Sequence, residues 1–259
     1  HPGFSDVGVL AVEETVEQTG YYGSVRLNVT DELKVVGGGR LASWDLSGFN
    51  FGPEREYGDD NVFIPYLGAL YDVTPGHRAY ASYTEIFQPQ NARDRDGDYL
   101  DPITGKAYEI GLKSAFFDDA LQTTVALFRI EQDNLAQVDV GAFVPGTVPP
   151  EQAYLGAQGT VSEGFEVEVT GQPIEGWNIS IGYSQFDAED ATGAAVSTDQ
   201  PGQLLKLFTT YRLTGALKDL VIGGGVNFRS KQYSEGLNPV TSAPFRFQQD
   251  AYTLVSLMA

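Results

Sequence analysis

Every second connection between the predicted strands of this chain is short, and that alternation constrains the fold more than any other feature. The strands themselves are read from period-2 segments. In TGYYGSVRLNV (19–29), Tyr21, Val25, Leu27 and Val29 share one face, and Tyr22, Ser24, Arg26 and Asn28 the other. GFEVEVTG sets Phe165, Val167 and Val169 against Glu166, Glu168 and Thr170. GWNISIGYS sets Trp177, Ile179, Ile181 and Tyr183 against Asn178, Ser180, Gly182 and Ser184. The same reading predicts about eleven strands in all. They lie near 15–29, 34–46, 61–72, 78–87, 105–117, 121–132, 161–171, 177–188, 202–213, 220–230 and 248–259. Most are longer than the strands of soluble sheets, and no amphipathic helix is evident.

The short connections are VTDELK, DVTPGH, FDDA, GQPIEGW and LTGALKD, built from turn-forming Asp, Gly and Pro. The long ones fall near 47–60, 88–104, 133–160, 189–201 and 231–247. In an up-and-down meander this gathers the tight turns at one end and the long loops at the other, as in outer-membrane barrels. A soluble propeller or sandwich fits less well. No blade-length repeat is visible, and one-sided loops are not expected of a sandwich. The predicted fold is therefore all-β: an antiparallel up-and-down transmembrane β-barrel. Interfacial girdles would account for Tyr21, Tyr66, Tyr71, Tyr80, Tyr83, Phe116, Phe117, Trp177, Tyr183 and Tyr211, all in or near strand ends.

Composition removes several function classes. No cysteine is present, so disulfides and thiolate metal sites are out. The two histidines, His1 and His77, are too far apart in sequence to favour a histidine metal centre. A net charge of −19 with only 16 Lys and Arg argues against nucleic acid as a partner.

The acidic stretch RDRDGDYLD raises the question of a calcium loop. An EF-hand needs glycine at position six and glutamate at position twelve. Counting from Asp94, those positions hold Tyr99 and Gly105, so the motif fails. A looser calcium site at Asp94, Asp96 and Asp98 is the weaker alternative to a solvated acidic loop. Paired carboxylates such as Glu166 and Glu168 share one face of a strand, and lining a polar lumen explains them without acid–base chemistry. His77 sits in a short turn, a poor place for a Ser-His-Asp arrangement. GGGR and IGGGV lack the strand–loop–helix context of a phosphate loop. No catalytic residues and no intrinsic cofactor are predicted.

Residues 80–137, YASYTEIFQPQNARDRDGDYLDPITGKAYEIGLKSAFFDDALQTTVALFRIEQDNLAQ, resemble the barrel of TonB-dependent siderophore receptors, in the branch for ferric hydroxamate and pyoverdine-type siderophores. GFEVEVTGQPIEGWNISIGYS, LLKLFTTYRLTGALKDLVIGGGVNFRS and QDAYTLVSLMA follow in family order, so the resemblance runs from about residue 14 onward. It implies a barrel of about 22 strands whose lumen is plugged by an N-terminal domain. It also implies an outer-membrane location in a Gram-negative bacterium, contact with outer-membrane lipid, and TonB-driven import of an Fe(III)-siderophore. The sequence departs from the family in showing no plug domain, no TonB box and no terminal aromatic, and so resembles about half of such a barrel: the resemblance implies that residues 1–259 form one partial barrel domain, a β-barrel portion of about 11 strands. A passive porin and a non-transport β-rich binding or adhesin module are the rival readings.

In such receptors the ligand is held near the extracellular mouth. By position, the resemblance points to Trp44, Phe87, Gln88, Gln90, Asn91, Arg93, Arg129, Gln132, Phe186, Arg229 and Tyr233. Aromatic walls with a few hydrogen-bonding groups suit a bulky polar ligand.

Overall fold

The structure, a computed structural model, describes residues 12–50, 54–148, 150–238, 241 and 243–259. Strands β1 (Val12–Asn28), β2 (Leu33–Asn50), β3 (Arg55–Thr74), β4 (His77–Gln88), β5 (Ile103–Phe116) and β6 (Leu121–Asp133) follow one another across one sheet. The chain then leaves the sheet as a hairpin of β7 (Leu135–Val144) and β8 (Glu151–Ala157). It returns through β9 (Thr160–Ile174), β10 (Trp177–Glu189), β11 (Gln203–Arg212) and β12 (Val221–Arg229). A second hairpin, β13 (Gln232–Leu237) with β14 (Pro244–Gln249), precedes the last strand of the sheet, β15 (Tyr252–Met258). The sheet has 11 strands, each antiparallel to its neighbours, in the meander order that the connection lengths predict.

One expectation about the loops needs correction. Residues 47–60 do not form one long loop, because β2 and β3 run on as a paired ribbon to Gly48 and Arg55; residues 51–53 lie outside the described set. The glycines and acidic residues of 47–50 and 55–60 resemble a loop, yet pairing of β2 with β1 and β3 and packing of Trp44 on Tyr57 hold them extended. Connections 133–160 and 231–247 are long, as expected, and each carries a hairpin. In β7–β8 the register breaks between Val138 and Phe143, beside Gly141 at φ +86°, which interrupts the alternation that marks a strand.

Register separates two faces of the sheet. Leu67, Tyr83 and Tyr108 stand on adjacent strands of one face, as do Ala81, Ile110, Leu127 and Phe165. Val169, Ile181, Leu207, Val226 and Val255 continue that face to the far edge. Its large apolar side chains are exposed: Phe63 is 61% accessible, Leu67 55% and Leu127 54%. Apolar surface this continuous is suited to lipid rather than water. The opposite face carries Arg26, Lys34, Arg78, Glu109, Lys113, Glu166 and Lys206. There Asp72 ties strands together near the turns, accepting from Lys34 Nζ at 2.5 Å and from Arg78.

Aromatic rings border the apolar band on both sides. Tyr21, Phe63, Tyr83, Tyr108, Phe165 and Tyr183 mark the side nearer the long loops. Beyond them the same face turns polar, with Glu17, Asp45, Glu85, Lys106, Glu131 and Glu163. Tyr71, Phe116, Trp177 and Tyr211 mark the turn side. Phe63 and Tyr71 are eight residues apart, about 27 Å of strand. Tilted as barrel strands are, that projects to roughly 20 Å, close to the ~25 Å apolar band of an outer-membrane barrel. Tyr66 and Tyr80 do not join these girdles. Register places them on the polar face, where Tyr80 OH donates to Glu109 at 2.5 Å.

Candidate binding site at the long-loop end

The acidic stretch is a tight turn, and its first aspartate organises it. Asp94 Oδ1 accepts from the backbone N–H of both Asp96 and Asp98 at 2.9 Å. Asp94 N in turn donates to Asp98 O at 2.8 Å, with Gly97 at φ +89° completing the reversal. The Asp94 carboxylate is thus a cap for backbone donors. Among the described residues no group of three His, Cys, Asp or Glu side chains is arranged to hold a metal ion.

This turn tips a loop, residues 89–102, that folds against the polar-face side of the β2–β3 ribbon. Trp44, 8% exposed, meets Tyr57 edge-on with ring centres 4.9 Å apart, and Tyr57 stacks on Tyr99 at 4.5 Å. Each aromatic pair adds about 1 kcal/mol beyond simple burial. Arg55 lies over the Tyr99 ring at 5.6 Å and donates to Gly97 O. Tyr99 OH reaches Glu14 of β1 at 3.2 Å. Burial first, then neighbouring Tyr99, pushes the Tyr57 hydroxyl up to about 12, so it stays a neutral donor to Gln90 O. A cavity of about 420 Å3 lies between Arg55–Asp59 and Asp98–Pro102.

The structure divides the sequence-predicted residues into four groups. Gln88, Gln132, Phe186 and Arg229 stand on the polar face at the loop ends of their strands, and Asn91 is exposed on the loop beyond. Trp44, Gln90 and Arg93 are built into the loop wall. Gln90 Nε2 donates to Asp101 O at 2.6 Å and Asn134 O at 2.8 Å, and Arg93 pairs with Glu151. Tyr233 belongs to the β13–β14 hairpin, beneath Arg246 at 3.7 Å. Phe87 and Arg129 are on the apolar-face side instead. Phe87 aligns with Tyr83, and Arg129 with Leu127 and Val125, where it pairs with Glu131 and Glu163. Sequence reasoning missed Tyr57, Tyr99, Arg95, Asp139 and Glu151. Their partners lie tens of residues away, and no local pattern marks them.

The 189–202 connection has its own carboxylate cap. Asp190 Oδ1 accepts from Thr192 Oγ1 at 2.6 Å, Thr192 N at 2.8 Å and Ala194 N at 3.0 Å. These bonds, the Thr192 hydroxyl foremost, hold the carboxyl below its ordinary range. The folded pKa is depressed, so the stabilisation is present above the unfolded value near 3.9 and fades as pH falls through the folded one. Amide exchange at Thr192 and Ala194 is expected to be protected at neutral pH and to lose that excess only under strong acid. Asp190→Asn should remove the pH dependence.

A family model described as TonB dependent receptor-like, beta-barrel, matches residues 5–259. The chain is 38% identical over 252 residues to a ferripyoverdine receptor of Pseudomonas aeruginosa, covering 96% of this chain and 30% of that protein. A ferric-pyoverdine receptor of Pseudomonas putida is 37% identical over 267 residues, 100% of this chain and 30% of its own length. The crystal structure of the ferripyoverdine receptor of the Pseudomonas aeruginosa outer membrane, bound to ferripyoverdine, superposes with a TM-score of 0.78 at 35% identity, over 94% of this chain and 32% of that one. The chain thus spans about 30% of the length of these curated relatives.

Proposed function

The chain belongs to the TonB-dependent receptor-like β-barrel family, an outer-membrane fold, and from that premise we propose that it forms part of the wall and mouth of a ferric-siderophore importer. The proposed ligand is of the pyoverdine class, and import draws on TonB. The reading is carried by one observation: 38% identity across 96% of this chain to a ferripyoverdine receptor. The geometry is compatible with it. An apolar face bordered by rings suits the bilayer, and the polar face leads up to a folded loop wall with exposed polar and aromatic groups. The segment serves a transporter, with binding rather than bond-making chemistry at its mouth.

Gln88, Asn91, Gln132, Phe186 and Arg229 are the proposed ligand contacts. Phe186 offers an aromatic surface, and Arg229 a forked donor for the oxygen-rich rim of a ferric chelate. In the full-length receptor, Phe186→Ala and Arg229→Ala are each expected to weaken ferric pyoverdine binding about five- to tenfold, as for ordinary interface contacts. Phe87→Ala and Arg129→Ala, on the other face, should stay within about twofold. Fluorescence titration of purified receptor checks both.

Uptake of radio-iron as ferric pyoverdine by cells expressing the full-length receptor tests the function itself. Accumulation that stops when TonB is deleted supports it. Accumulation that persists without TonB would replace it with a passive pore.

A further inference from the structure

The 89–102 loop is fastened on two sides. Its centre is a miniature hairpin, with Arg93 bridged to Tyr99 and Leu100 N donating to Ala92 O at 2.9 Å. On one side, Tyr99 and Gly97 are held by Tyr57 and Arg55 of β3. On the other, the loop meets the β7–β8 hairpin. Arg95 forks onto Asp139 of β7, with three contacts of 2.7 to 2.9 Å. Arg93 forks onto Glu151 of β8, and Tyr154 N donates to Arg93 O at 2.8 Å.

These are not ordinary surface pairs, which contribute little. In each, one partner is buried: the Arg93 side chain is 6% exposed against 42% for Glu151, and Asp139 11% against 64% for Arg95. Neutralising the exposed partner leaves a buried charge unmatched. A guanidinium fork also fixes orientation, so two forks from residues two apart leave the hairpin little freedom to pivot.

We infer that Arg93 and Arg95 are positioning residues that lock the 89–102 loop and the β7–β8 hairpin into one preformed wall of the mouth. The ligand meets that wall already built. Only the ligand's identity rests on the proposed function; the latch itself does not. If unlatching left the wall in place one-tenth of the time, apparent affinity would fall about tenfold. The loss would appear in association, because the bound state is reached only from the latched form.

The test uses the full-length receptor in detergent, with hydrogen–deuterium exchange in the absence of ligand and stopped-flow mixing with ferric pyoverdine. Peptides covering 92–100 are expected to be protected in the wild type. Arg95→Gln and Asp139→Asn should each speed their exchange about tenfold while leaving β5 and β6 unchanged. Association should slow by a similar factor, with dissociation within about twofold of wild type. Two results would overturn the inference: wild-type 92–100 exchanging like open chain until ligand is added, or variants whose exchange and association match wild type. A receptor that binds no ferric pyoverdine would sink the pyoverdine reading, while the exchange pattern would still decide the latch.

Discussion

Replacing Gly171 with alanine is expected to cost the folded receptor about 3–5 kcal/mol, enough to shift its denaturation midpoint plainly or to prevent assembly. Gly171 lies in β9 between Leu121 of β6 and Ile179 of β10, beside the short turn that joins β5 to β6. Its φ of +144° is outside the range L side chains adopt readily. A Cβ there would also drive into the Ala120 carbonyl and come within 2.8 Å of Leu121 Cα. That carbonyl accepts from Gln172 N at 2.6 Å, so it cannot retreat without breaking the bond. Gly182→Ala is the control: nothing lies within 4 Å of its Cβ, and the change should be nearly neutral. Urea titration of both variants in lipid vesicles, read by tryptophan fluorescence and the heat-dependent gel shift of folded barrels, checks the pair.

A second large effect separates the two faces of one strand. Ile181 and Ser180 are adjacent in β10, midway between Trp177 and Tyr183. Ile181 pairs with Val169 and Leu207 on the apolar face. Ser180 is exposed on the polar face between Thr170 and Phe208. An arginine facing lipid near the midplane costs about 2–4 kcal/mol. Ile181→Arg should therefore destabilise by about that amount, and Ser180→Arg by about 1 kcal/mol or less. Equal costs at the two positions would mean that the apolar face is not in contact with lipid.

Much of this arrangement was legible because alternation and turn chemistry are local. GFEVEVTG and GWNISIGYS set Val167, Val169, Ile181 and Tyr183 on one face, and the register of β9 with β10 aligns those residues. The short turns placed each strand beside its neighbour. What escaped was non-local. The β2–β3 ribbon looks like a loop until β1 and the Trp44–Tyr57 contact are known. Arg129 is a different case, since its facing could have been read: it sits two and four residues from Leu127 and Val125, so period 2 carries it to the same face. Position near a strand end was too coarse a guide there and at Phe87. No sequence pattern reveals that Arg95 meets Asp139, 44 residues on. The aspartates that suggested calcium form a backbone cap instead, because one Asp94 carboxylate oxygen is taken up by the amides of Asp96 and Asp98, a pairing no sequence spacing announces.

The central claim is that these strands cross the outer membrane with every long connection outside and every short turn inside. This chain has no cysteine, so single cysteines can report their side in a full-length receptor kept otherwise cysteine-free. Asp96→Cys and Ala194→Cys sample the long connections, and Asp31→Cys and Lys218→Cys the short ones. The reagent is a polyethylene-glycol maleimide too large to enter the periplasm. In intact cells, positions 96 and 194 should react, and positions 31 and 218 only after the outer membrane is permeabilised. Reaction of positions 31 or 218 in intact cells, or of all four in a detergent-free soluble fraction, would contradict the account.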